Sequence, residues 1–224
     1  MKLLAIDTST RNYSLALAQD EKISLSKNII LKDVLSSSMI LEVEKSLKKL
    51  KWSFKQIDAY IVGLGPGSFT SLRIGLSTVK GFAFATGKPV IGISSLDAIA
   101  LNAKADTRDI CVLTDAKRNM VYGCLYRNQD GRLKKKTDYL LSPISELLKR
   151  IKNPALFTGD GIKLFKEEIT RRLPSAQFAP GTDWHPTAEN LLILAKERIK
   201  KRQFDRAAGL IPIYLYPDDC QVQK

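Results

Sequence analysis

Two short stretches carry the residue types that could do chemistry. In AIDTST, residues 5–10, an acid is followed by three hydroxyls, and in GPGS, residues 65–68, glycines flank a proline ahead of another hydroxyl. Asp7 could orient a metal ion or a water, and Thr8, Ser9 and Thr10 could donate to phosphate oxygens. A tight turn at Gly65 and Gly67 leading into Ser68 would aim backbone N–H groups at the same target. These are parts of a nucleotide site, but their usual companions are missing. No lysine occupies a P-loop position and no second acid stands beside Asp7, so weak or absent ATP binding is expected of the isolated chain. The single histidine, His185, precedes Pro186 in a turn-like segment and is assigned no role. Neither a metal-holding His pair nor a Ser/His/Asp or Cys/His constellation can be assembled without it, so no catalytic or metal residues are named.

The elements that must position these residues follow from periodicity. Residues 3–6 and 13–18 are apolar or alternating runs around a polar turn, which predicts a strand hairpin, and residues 22–30 predict a third strand. Residues 35–50 carry an apolar helical stripe at Leu35, Met39, Val43, Leu47 and Leu50, widened by Ile40, with Leu41 on the opposite, charged side. A buried-type strand at 59–64, a helix at 68–86, a strand at 89–93 and a helix at 95–103 complete the first half. After the polar stretch 104–109 the pattern repeats. ICVLTDAKRNMVYGCL answers LLAIDTSTRNYSLAL, matching Asp115 to Asp7, and ALFTGDGIKLF answers IVGLGPGSFTSL, matching Gly159-Asp160-Gly161 to Gly65-Pro66-Gly67. Two related α/β halves are expected, residues 1–103 and 104–224, with the last helix free to pack back on the first half.

Composition bounds the rest. The 224 residues are 44% hydrophobic, enough for a sizeable core. Asp7 and Arg11 break the N-terminal apolar run before a signal-peptide core or a membrane span could form, so no membrane association is expected. Cys111, Cys124 and Cys220 form an odd, widely spaced set that fits a reducing cytoplasm, read as two buried strand cysteines and one tail cysteine. A net charge of +13 would attract polyanions, with clusters at Lys48, Lys49 and Lys51, at residues 134–136 and at residues 196–206. Solvated helix faces and loops are the simpler reading of these runs, because no aromatic platform is interleaved with them.

Two α/β halves, each opening with a hairpin whose turn follows an Asp, resemble the duplicated actin, sugar kinase and Hsp70 (ASKHA, RNase H-like) fold. AIDTST, GLGPGSFTSLRIGLSTVKGFAFATGKPVIGISSLDAIA and TDAKRNMVYGCLY further resemble the TsaB (YeaZ) family, strongly in the first half and more loosely in the second, including the PIYLY tail. That resemblance implies a cytoplasmic subunit of the bacterial machinery making N6-threonylcarbamoyladenosine at position 37 of tRNA. Such a subunit pairs with its catalytic paralogue TsaD, works with TsaE, and meets tRNA through the complex. It implies a non-catalytic pseudo-enzyme, since the His-x-x-x-His metal pair of TsaD-type proteins cannot be built here. The Asp7 and Gly65 turns would then be vestigial, with ATP or ADP bound at most in the assembled complex. Alone, the chain could form a homodimer. Small residues in the helix at 68–86 permit close approach of another helix, which makes Leu41, Ser71, Ile74, Gly75 and Thr78 the expected partner interface. Two other classes stay open: an ATP-dependent small-molecule kinase using Asp7, Asp115 and both glycine turns, and a tRNA-binding adaptor using the basic helix at 188–203.

Overall fold

The computed structural model describes residues 1–30, 35–129 and 132–216, with the side chains of residues 35–37 also left out, so Leu35 of the predicted stripe and Cys220 lie outside the described residues. The described residues form two compact units, one of residues 1–98 and 186–213, the other of residues 99–185 and 214–216.

The first unit is built on an apolar hairpin, β1 (Lys2–Asp7) and β2 (Asn12–Gln19), continued by β3 (Lys22–Ile30). Next come α1 (Leu35–Lys49), β4 (Ala59–Gly63), α2 (Phe69–Thr86), β5 (Val90–Ile93) and the start of α3 (Ser95–Asn102), which runs on into the second unit. The sheet runs β3-β2-β1-β4-β5. β1 lies antiparallel to β2 and parallel to β4, and its near-continuous burial reflects cover on both sides. On one side Leu4, Ile6, Leu15 and Leu17 pack with Met39, Val43 and Leu47 of α1 and with Leu76, Val79 and Ala83 of α2. Gly87, in the left-handed region at φ 66°, ends α2 with its N–H on the Ala83 carbonyl. Ile40 does not widen the α1 stripe as expected: it is exposed, because Met39, Val43 and Leu47 already fill the sheet-facing side.

The other side of the sheet is closed by α6 (Ala188–Lys200), whose Ala188, Leu191, Leu192 and Ala195 meet Leu3, Ala5, Ala16, Ala18 and Ile61. The sheet's alanines let this helix approach closely. A division at 103/104 leaves α6 with the second half, whereas residues 186–213 belong to the first unit. Without α6, that side of the first sheet would be bare.

The second unit contains β6 (Asp109–Asp115), β7 (Met120–Gln129), β8 (Arg132–Lys135), β9 (Leu140–Pro143), α4 (Ile144–Lys149), β10 (Ala155–Thr158), α5 (Ile162–Arg172) and β11 (Gln177–Phe178). Its strands run β11-β10-β6-β7-β8, with β9 also paired to β7. The antiparallel β6–β7 hairpin and the parallel β6–β10 pair repeat the relations of β1 with β2 and β4. Cys111 and Cys124 are buried in β6 and β7.

Candidate functional site

In the first unit the two predicted turns come together and close on each other. Asp7 is fully buried at the end of β1. Its Oδ1 accepts from the Ser9 N–H at 2.8 Å and the Ser9 hydroxyl at 2.6 Å, and its Oδ2 accepts from the Ser95 hydroxyl at 2.6 Å. Burial pushes the Asp7 carboxyl above the usual carboxylate range, against the pull of these three hydrogen bonds. The Ser95 Oγ in turn accepts from the Gly65 N–H at 3.1 Å, and the Ser95 N–H donates to the Gly65 carbonyl at 2.8 Å. The Ser68 N–H donates to the Ser9 carbonyl at 2.8 Å, and the Thr8 hydroxyl to the Ser71 carbonyl at 2.8 Å. Thr10 folds back on Asn12, accepting from its N–H at 3.1 Å. Gly67 is glycine because a Cβ there would stand 2.2 Å from the Ser9 carbonyl oxygen.

All seven residues of the predicted nucleotide turns therefore lie in one neighbourhood, with their polar groups largely engaged by one another. Asp7 presents no accessible oxygen to a metal or phosphate. Among the described residues no group of three His, Cys, Asp or Glu side chains could hold a metal ion. Ser95 is the member that sequence reasoning missed, although Ser94-Ser95 at a strand-to-helix junction was a visible signal.

The matching turn of the second unit is built differently. The Asp115 N–H donates to Asp160 Oδ1 at 3.1 Å, while the Asp115 carboxylate accepts the Lys117 N–H at 2.8 Å and the Lys117 ammonium. Burial raises the Asp160 carboxyl above its ordinary range and lowers the pKa of the half-buried His185, which is also subject to the opposing pull of the Asp160 charge.

One residue of the expected partner face, Gly75, needs a correction. Gly75 is buried, and a Cβ on it would meet the Thr8 Oγ1 at 2.2 Å, so this glycine lets α2 sit on the unit's own hairpin turn rather than on a partner. Ser71, Ile74 and Thr78 are half-buried on the flanks of that contact, with Ile74 packed against the core. The open face of α2 instead carries Arg73, Ser77, Gly81, Phe84 and Ala85. Phe84 is 92% exposed, and a Cβ on Gly81 would meet nothing within 4 Å. Near the start of the helix the Arg73 guanidinium lies 3.7 Å from the centre of the exposed Phe69 ring. Among the described side chains of α1 the exposed apolar ones are Ile40 and Leu41, the latter at 52%.

A family model described as TsaD: tRNA N6-adenosine threonylcarbamoyltransferase matches residues 33–219. The chain is 30% identical over 219 residues to the tRNA threonylcarbamoyladenosine biosynthesis protein TsaB of Bacillus subtilis (strain 168), covering 96% of this chain and 94% of that one. The chain belongs to the TsaB (YeaZ) family. YeaZ from Pseudomonas aeruginosa superimposes with a TM-score of 0.80 at 27% identity, covering 96% of this chain and 99% of that one. The activator of 2-hydroxyisocaproyl-CoA dehydratase from Clostridium difficile, solved with bound ADPNP, shares the fold at a TM-score of 0.51 and 14% identity, covering 90% and 98%. The TsaB-family chain thus has the duplicated ASKHA-type plan, two mixed sheets with matching strand relations. Among the described residues no helix is long and apolar enough to cross a membrane.

Proposed function

We propose that this TsaB-family chain is the non-catalytic docking subunit of the tRNA threonylcarbamoyladenosine machinery, pairing directly with TsaD and working with TsaE. The observation that carries this reading is the open face of α2, where a phenylalanine stands 92% exposed on a helix whose other side is already used by its own sheet and turn. An exposed aromatic beside a helical glycine suits the close approach of another helix. Ile40 and Leu41 add apolar surface on α1. The chain's single histidine leaves no His-x-x-x-His pair, so the transfer chemistry falls to TsaD. The hydroxyls and N–H groups that a kinase would turn toward ATP are bonded within the Asp7 turn, which argues against tight nucleotide binding by the isolated chain. Nucleotide then belongs to the assembled complex.

Reconstitution tests this reading. The chain with tRNA and a threonylcarbamoyl donor should form no modified adenosine, and addition of TsaD and TsaE should start the reaction. Product from the chain and donor alone would overturn the non-catalytic assignment. Unchanged product when this chain is omitted from the full mixture would overturn the subunit assignment.

A further inference from the structure

Positive charge in this molecule is not spread evenly once its ion pairs are taken into account. On the basic helix α6 the described ion pairs give each of four cations a carboxylate partner: Lys196 and Lys200 share Glu21, Arg198 pairs with Asp205 at 2.7 Å, and Lys201 lies 4.0 Å from Glu197. On α1, Lys45 and Lys48 pair with Glu42 and Glu44. The second unit differs. An open groove of about 410 Å³ is lined there by Lys135, Lys136, Thr137, Asp138, Leu140 and Arg150, at the end of β8 and the end of α4. Among the described residues no carboxylate lies within ion-pair distance of Lys134, Lys135 or Arg150. At its edge the buried Asp109 is shared by Arg127 and Lys136, each at 2.6 Å, with Asn153 at 3.3 Å. Two cations on one carboxylate leave positive charge in excess. Lys134 stands opposite Arg127 in the β7–β8 register and extends the cationic edge, while Asp138 is the one acid in the lining.

We infer that this β8–α4 surface binds the phosphodiester backbone of RNA. Charge without pairing, placed along an extended strand, matches a polyanion, and phosphate contacts of this kind position a nucleic acid without reading its sequence. Tyr139 supports backbone contact over base stacking, because the Lys135 ammonium lies 4.2 Å over its ring and also donates to its hydroxyl at 3.1 Å. The choice of RNA over an acidic protein rests on the proposed role in tRNA modification. The sequence left open an adaptor surface on the helix at 188–203; the β8–α4 surface lies in the other unit.

Fluorescence anisotropy of the full chain with labelled tRNA, over a series of salt concentrations, tests the inference. The variant Lys134→Glu/Lys135→Glu/Arg150→Glu should bind at least about tenfold more weakly near physiological salt, and its log–log salt slope should fall by about 2 to 3. The control Lys196→Glu/Lys200→Glu/Lys201→Glu should change binding far less. If the first variant fails a thermal-melt check, Lys135→Gln/Arg150→Gln is read instead, with a slope decrease of about 2. Equal binding by wild type and the groove variant, a wild type that does not bind, or a larger loss in the α6 control would each overturn the inference. Polyglutamate competing as well as tRNA would assign the groove to an acidic protein and overturn it too. The reconstitution described above keeps the two proposals apart. If the reaction needs this chain but the groove variant binds tRNA normally, only the RNA surface falls. If the reaction ignores the chain, the subunit reading falls.

Discussion

Gly75 and Gly81 sit on one helix, six residues apart, and do opposite things. At Gly75 the missing side chain is what lets α2 rest on Thr8, and with it the Asp7 turn is sealed. At Gly81 the missing side chain leaves open space, next to an exposed Phe84. The same residue type thus marks internal packing on one side of α2 and unoccupied surface on the other. The lesson is that a small residue in a helix says only that something approaches closely or could do so. The rest of the fold decides which.

Substitutions at the two positions should separate them cleanly. The largest effect belongs to Gly75→Arg, which forces a charged side chain into the Thr8 contact. It should cost about 4 kcal/mol or more, or prevent folding, as read by urea denaturation. Gly75→Ala should cost about 1–3 kcal/mol by overpacking, despite alanine's better helix propensity. A stabilised Gly75→Ala would mean that the Thr8 contact gives way easily.

The Asp7 carboxylate sharpens the inner side of the comparison through pH. Its folded pKa lies above its unfolded value near 3.8, because burial outweighs the hydrogen bonds. The stability contributed by the protonated form is therefore full below the unfolded value and is lost as pH rises through the folded one. Asp7→Asn has no such titration. The unfolding free energy of wild type minus that of Asp7→Asn should fall as pH rises from below 3.8 toward neutrality, and a flat difference would contradict the buried, desolvated state. The smallest effect is expected at Gly81→Ala, a gain of up to about 1 kcal/mol in thermal or urea unfolding, since the new methyl meets nothing and the helix loses a flexible residue.

Much of the architecture was legible locally. The hairpins, the long helices and the repeat of strand, Asp, turn and strand were visible in apolar runs and turn residues, because those patterns act over a few residues. Other features were less so. The sequence left the last helix free to pack back on the first half, but the match that returns it, α6 against a sheet side rich in Ala5, Ala16 and Ala18, joins segments far apart in sequence. The orientation of α2 was also hidden: its outward face carries Phe84, an apolar residue, so hydrophobicity alone does not distinguish inside from outside. The nucleotide-like turns were recognised by residue type, but the sealing of Asp7 required Ser95, 88 positions away.

The most direct test of the docking assignment is the affinity of TsaD for this chain carrying Leu41→Glu and Phe84→Glu, measured by isothermal titration calorimetry alongside thermal melts of the variant. Both side chains are more than half exposed in this chain, so the fold should melt as wild type does. Removing two apolar contacts and adding two charges at an interface should weaken binding by at least about a hundredfold, in the range of about 3 kcal/mol or more expected when anchor residues are lost. Wild-type affinity in a normally folded variant would contradict the account and move the TsaD contact away from the open faces of α1 and α2.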